Sequence, residues 1–181
     1  MKIVLINPPW YRLQNASLSH YPPGPTYIAG ALERIGYDSI VYNADYDPKI
    51  KSVVGGTNIL NVNELTKKYH LYIKNLYDFN HSIWQEMRKV IEYFKPDILG
   101  VSVYTVTFKS ALNIARIAKE IDKDIITIFG GPHPSIDPEG TIKEEFVDFV
   151  VIGEGEITIQ KLIETIDNNS KDFANIKGIA H

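Results

Sequence analysis

A doubly wound α/β domain built on a five-stranded parallel sheet is the fold this sequence predicts, and three observations carry it. Short apolar runs rich in β-branched residues recur at Lys2 to Ile6, Ser39 to Tyr42, Ile98 to Tyr104, Asp124 to Gly130 and Phe149 to Ile152. Runs of that length suit strands buried on both faces, as in a parallel sheet. Segments with apolar residues at helical spacing alternate with them, which calls for right-handed crossovers and the flavodoxin-like strand order 2-1-3-4-5. The runs also close on turn residues, Asn7-Pro8-Pro9, Asn43-Ala44-Asp45, Gly130-Gly131 and Gly153-Glu154-Gly155-Glu156. Those closures mark one carboxyl edge, where open α/β sheets bind ligands.

Taken in order, the first strand ends at Pro8 and Pro9 because neither can donate to a ladder. The polar stretch Trp10 to Pro23 is longer than an ordinary strand-to-helix connection and reads as a binding loop. Pro25 opens the first helix, Ile28, Ala31, Leu32 and Ile35 give its apolar face, and Gly36 stops it. Residues 46–80 break the rhythm and read as an insertion, with a helix over Val62 to Leu76 that would serve as a lid. Ile83 to Phe94 and Thr107 to Ile121 are amphipathic helices. A weaker helix is expected near Ile142 to Phe146, and a last one over Ile159 to Ile166. Residues 1–167 thus form the domain, and 168–181 read as an exit linker.

Composition narrows the function. With 181 residues and 44% apolar content, one well-buried domain is expected. Nineteen basic against 22 acidic residues give a net charge of -3, which provides no basic field for a phosphate backbone, so nucleic acid is not an expected partner. The absence of cysteine rules out disulfides, a thiolate nucleophile and cysteine-ligated metal within these residues. No apolar stretch approaches the roughly 20 residues of a membrane helix, and Met1 to Pro9 lacks a signal-peptide pattern, so a cytoplasmic protein without a membrane partner is expected.

Four segments should meet at the carboxyl edge: Asn7 to Tyr11, Ser102 to Thr105, Gly130 to Pro134 and Gly153 to Glu156. Glycines and small hydroxyls dominate them, a surface suited to a large ligand carrying amides, ribose or phosphate. Ser102, Thr105 and Thr107 are equally suited to capping a helix that starts near Phe108. Glu154 and Glu156 read as acceptors for loop amides or ligand hydroxyls, more than as a catalytic acid and base. Trp10, Tyr11, Tyr21, Tyr27 and Tyr104 gather near the same edge, where packing or cofactor stacking would use them.

The ordered set Asn7-Pro8-Pro9, Tyr21-Pro22-Pro23-Gly24, Pro96-Asp97, Gly100-Val101-Ser102, Gly130-Gly131-Pro132-His133-Pro134, Gly153-Glu154-Gly155-Glu156 and Ile176-Lys177-Gly178-Ile179 resembles the cobalamin (vitamin B12)-binding domain at the N-terminus of radical SAM enzymes. In such domains the cofactor's nucleotide tail passes a Ser-x-Leu motif after the third strand and a Gly-Gly after the fourth. Ser102-Val103-Tyr104 takes the first place, with Tyr where Leu is usual, and Gly130-Gly131 the second. The resemblance implies cofactor-binding roles for Asn7, Pro9, Trp10, Ser102, Tyr104, Thr105, Gly130, Gly131, Pro132, His133, Gly153, Glu154, Gly155 and Glu156. It implies neither catalytic nor metal-ligating residues. It also implies a parent chain, often a methyltransferase, whose radical SAM domain carries a 4Fe-4S cluster and S-adenosylmethionine.

One departure matters. Methionine-synthase-like members supply a cobalt ligand from Asp-x-His-x-x-Gly after the first strand, where this chain has Asn7-Pro8-Pro9-Trp10-Tyr11. Cobalamin is therefore expected base-off, without a histidine on its lower face. His20 is a substitute to weigh, His133 a weaker one, and His70, His81 and His181 show no pairing that makes a metal site. A flavin or nucleotide binder using the same cleft stays open as an alternative, although the first strand is not followed by the usual glycine-rich phosphate turn.

Overall fold

The computed structural model describes residues 1–17, 21–50 and 62–181. Its sheet comprises β1 (Ile3–Asn7), β2 (Ser39–Asn43), β3 (Ile98–Ser102), β4 (Ile126–Gly130), β5 (Phe149–Val151) and β6 (Ile179–Ala180). They lie in the order β2-β1-β3-β4-β5-β6. The first five are parallel, as the sequence predicts, and β6 runs antiparallel on β5.

The sixth strand lies within residues 168–181, which the sequence reads as an exit linker. Two residues are too few to leave a periodic signal. Tertiary contacts make the strand: Ile152 N–H donates to the Gly178 carbonyl at 2.8 Å, Gly178 turns with φ 84, and Ile176 is buried.

The helices are α1 (Pro23–Glu33), α2 (Val62–Tyr77), α3 (Ser82–Phe94), α4 (Phe108–Ile121), α5 (Pro132–Ile136), α6 (Pro138–Ile142) and α7 (Glu156–Asp167). Helix α1 starts two residues before the expected Pro25, because Pro23 supplies a φ already suited to a first turn. The helix expected over Ile142 to Phe146 is replaced by α5 and α6. Each opens on a proline, and the Asp137 carboxylate accepts from Gly140 N–H at 2.9 Å to start the second.

Alternation along the strands sorts side chains into two cores. Val4, Ile6, Leu99, Val101, Phe129 and Val150 face α2, α3 and α4. Ile3, Leu5, Ile98, Ile128, Phe149 and Val151 face α7 and Leu32 of α1. Each fully buried Ile or Leu stabilises the fold by about 1.5–3 kcal/mol.

The expected helix in the insertion is a wall of the first core, with Tyr72 and Leu76 buried. Asn75 ties it down, its Nδ2 donating to the Leu13 carbonyl and its own carbonyl accepting from Trp84 Nε1, both at 3.0 Å. Within the insertion 46–80, expected to serve as a lid, residues 51–61 lie outside the described residues. No helix among the described residues is long and apolar enough to cross a membrane.

Candidate functional site

Register builds the site. Leu5 pairs with Gly100, Gly100 with Ile128, and Ser102 with Gly130. Paired residues in a parallel sheet point to the same face, so Gly100 and Gly130 remove two side chains from the face that carries Leu5, Ile128 and Val151. A trough results beside Ser102. Helices α1 and α7 roof it, joined by a hydrogen bond from Gln160 Nε2 to the Ala31 carbonyl at 2.6 Å. The half-open cleft measures about 230 Å³ and is lined from Leu5 and Ile159 to Gly153, Glu154 and Glu156.

Several glycines sit in close contact, with side-chain tips at Gly100 and Gly24 and with unyielding backbone at Gly131. A Cβ on Gly100 would sit 2.6 Å from Leu5 Cδ2, and one on Gly24 3.2 Å from Ser102 Oγ. Gly131 has φ 107, and its Cβ would lie 3.1 Å from both N and O of Val103. Gly130 differs, since its nearest neighbour would be Val151 Cβ at an ordinary 3.7 Å. Ser135 then pins the two glycine loops together: its hydroxyl donates to the Gly131 carbonyl and accepts from Gly153 N–H, both at 2.8 Å.

Of the residues expected at the site, Ser102, Gly130, Gly131, Gly153, Glu154, Gly155 and Glu156 line the cleft. The Ser102 hydroxyl makes no hydrogen bond among the described residues and stays available to a ligand. Tyr104 and Thr105 stand exposed at the edge. Thr107 takes the capping role there, as Tyr104 N–H donates to its Oγ1 at 3.0 Å. Pro132 is exposed. His133 N–H donates to the Val103 carbonyl at 3.0 Å, its ring lies 4.2 Å from that of Phe108, and its buried Nε2 has no partner among the described residues.

The segment after β1 does not line the cleft. Asn7 Nδ2 donates to Asn43 Oδ1 at 2.9 Å, Pro9 is buried, and Trp10 packs 4.3 Å from the Tyr72 ring. A buried polar hub holds this turn. Asp45 Oδ1 accepts from the N–H groups of Trp10 and Arg12, each at 2.9 Å. Arg12, only 8% exposed, forms a two-point pair with Glu86 at 2.7 and 2.8 Å, and Tyr42 O–H donates to the same carboxylate at 2.6 Å. Burial would raise the Glu86 carboxyl, but the Arg12 and Tyr42 hydrogen bonds outweigh it and hold the group below its ordinary value. Burial dominates at Asp45 and pushes that carboxyl up.

In place of that segment, α1 supplies Gly24, Pro25, Tyr27 and Ile28, and the strands supply Leu5, Gly100, Ile128 and Val151. Apart from Tyr27, weighed for stacking, sequence reasoning assigned no cofactor contact to these positions. A glycine inside the apolar strand Ile98–Ser102 was the available signal, since such a residue marks close approach. No group of three or more His, Asp or Glu side chains among the described residues is placed to hold a metal ion. His20 lies outside the described residues.

A doubly wound sheet with a trough cut into its carboxyl edge and roofed by two helices defines a ligand-binding module. Residues 69–163 match the B12 binding domain family model, and the chain belongs to that family. It is 33% identical over 99 residues to an uncharacterized methyltransferase of Pyrococcus horikoshii, covering 54% of this chain and 21% of that protein. It is 29% identical over 110 residues to the cobalamin-dependent radical SAM methyltransferase TokK of Streptomyces tokunonensis, covering 58% and 16%. The fold also matches the solved structure of the radical S-adenosylmethionine methyltransferase TsrM from Kitasatospora setae with cobalamin and a [4Fe-4S] cluster bound. That match has a TM-score of 0.56 at 19% identity over 98% of this chain and 26% of the other. The chain therefore spans only about a quarter or less of each relative.

Proposed function

We propose that this chain is the cobalamin-holding domain of a radical SAM enzyme, and that it binds the cofactor base-off without a histidine ligand. The observation that carries the reading is the trough made by Gly100 and Gly130 beside the unpartnered Ser102 hydroxyl. A flat nucleotide tail displaced from cobalt needs such a slot, free of Cβ atoms and ending in one hydrogen-bond donor. In this reading Ser102 donates to the tail, while Gly130 and Gly131 let it pass close to the backbone. Glu154 and Glu156 accept from ligand amides or hydroxyls at the mouth. Tyr104, Thr105, Pro132 and His133 edge the sheet where the larger part of the cofactor would rest, and Asn7, Pro9 and Trp10 support that edge from behind. The turn after β1 is tied to Asp45 and Tyr72, which disfavours a cobalt ligand from that segment.

When bound, cobalamin supplies a cobalt centre that accepts and donates one-carbon groups. This chain's residues orient that centre and shield the tail from water. Residues 1–167 are the binding domain in this proposal, and 168–181 lead towards a radical SAM domain that would hold the 4Fe-4S cluster and S-adenosylmethionine, with methyl transfer as the parent activity.

The test is uptake of hydroxocobalamin by the purified chain, followed by visible spectroscopy and by electron paramagnetic resonance of the Co(II) form. The expected result is stoichiometric binding and a spectrum lacking nitrogen hyperfine splitting from an axial ligand. A folded chain that takes up no cobalamin overturns the reading. Nitrogen splitting on bound Co(II) overturns the base-off assignment alone.

A further inference from the structure

A second cavity lies beside the end of β2 and shares no lining residue with the cleft. It measures about 690 Å³, within the range of about 300–1,000 Å³ usual for small-molecule sites. The turn after β2 builds it. Asp45 is buried and holds the turn after β1, while Tyr46, Asp47 and Lys49 line the cavity together with Arg12 and Glu86. Tyr21, weighed in the sequence for cofactor stacking, lines this cavity and not the cleft.

The walls have more to accept with than to donate. All four Nη hydrogens of Arg12 are engaged: one nitrogen donates to the Ala44 carbonyl at 3.0 Å and to Glu86 at 2.7 Å, the other to Glu86 at 2.8 Å and to Asp47 at 3.4 Å. Of the lining cations Lys49 alone makes no ion pair among the described residues. An anionic ligand would meet that one amine and two carboxylates. Glu86 accepts three hydrogen bonds and Asp47 two, whereas a carboxylate offers about four acceptor sites. The spare sites are reachable, since Glu86 is 35% and Asp47 22% exposed. A cationic ligand would use them but would be opposed by Arg12 and Lys49. The balance of two carboxylates and two cations suits a neutral ligand whose groups both donate and accept. Tyr21 and Tyr46, 85% and 46% exposed, add flat aromatic surface to the same walls.

We infer that this cavity is a second binding site, for a neutral polyhydroxylated ligand of the sugar class. Ligand hydroxyls donate to Glu86 and Asp47 and accept from the Lys49 amine, and the C–H face of the sugar ring lies on Tyr46. The site stands apart from the cobalamin reading and does not depend on it.

The test is two-dimensional amide NMR of the full chain, titrated with glucose, maltose and uridine, and with glucuronate and uridine monophosphate as anionic counterparts. The expected result is that at least one neutral ligand shifts the amides of residues 46–49 saturably at millimolar concentration, and that its anionic counterpart binds weaker by about fivefold or more, the cost of an unmatched charge. Saturation by glucose or maltose identifies a free saccharide as sufficient, and saturation by uridine alone identifies a glycosyl group carried on a larger molecule. Absence of saturable shifts with all three neutral ligands overturns the inference, as do anionic forms that bind equally or tighter, and shifts confined to the cleft residues 153–156. Tyr46→Ala, at an exposed position, is expected to keep its melting temperature and cobalamin uptake while losing about fivefold or more in sugar affinity, the effect of about 1 kcal/mol of lost stacking. Unchanged sugar affinity in that folded variant overturns the assignment to this cavity.

Discussion

At the scale of single residues, the two adjacent glycines after β4 have separable tasks. Gly131 adopts φ 107 against the Val103 backbone, so Gly131→Ala should destabilise the fold by about 1–3 kcal/mol. In a domain of this size that lowers the melting temperature by about 2–4 °C per kcal/mol. Gly130 has room for a Cβ, so Gly130→Ala should leave the melting temperature nearly unchanged while narrowing the trough and weakening cobalamin binding severalfold. Thermal melts and titrations on the pair separate fold from site.

Glu86 gives a pH-dependent counterpart. Glu86→Gln leaves the buried Arg12 with Asp47 at 3.4 Å as its remaining side-chain ion pair, and should cost about 1–3 kcal/mol at neutral pH, below the figure for fully buried pairs because Glu86 is 35% exposed. Because the folded carboxyl is held below its ordinary 4.5, its contribution is complete above that value and lost as pH falls through the depressed one. Urea midpoints of wild type and variant should therefore converge below pH 4.5. Asp45 titrates in both proteins and cancels from the difference.

At the scale of elements, the site depends on where helices and loops are anchored. The roof stands because α1 and α7 are bonded through Gln160, and the mouth holds its shape through Ser135. Ser135→Ala removes both loop bonds, should cost about 1–3 kcal/mol because Gly153 N–H and the Gly131 carbonyl lose a partner, and should weaken cobalamin binding severalfold. Equal affinity in calorimetry would show that the mouth keeps its shape without that hydroxyl. The short strand β6 supports α7 from the other side, since a Cβ on Gly178 would lie 3.2 Å from Thr158 Oγ1. Its edge position explains why residues 168–181 resemble a linker in sequence: most of them are exposed, and Ile176 alone is buried.

At the scale of the whole molecule, the weak net charge of -3 and a cleft without lysine or arginine predict little coulombic steering of the cofactor. Cobalamin affinity should change by less than about twofold between 50 mM and 500 mM salt, whereas a phosphate-gripping basic site would lose affinity steeply. The parallel sheet, its strand order through β5 and the clustering of glycines at one edge were legible in the sequence, because they follow from local periodicity and from chirality rules that hold for every βαβ unit. Ser102 and the diglycine were legible for the same reason, as strand ends must share the carboxyl edge. Three things were decided by tertiary structure alone. The turn after β1 left the cleft because Asp45 and Tyr72, remote in sequence, capture Trp10 and Arg12. Gly24, Pro25 and Ile28 entered it because α1 packs over β2, β1 and the end of β3, which sets Gly24 beside Ser102. Leu5, Gly100 and Ile128 became one row because register aligned them. Sequence determines which residues are small or apolar and where strands stop. Which of them face one another across about 230 Å³ depends on pairings between distant segments, and those exist only once the sheet has formed.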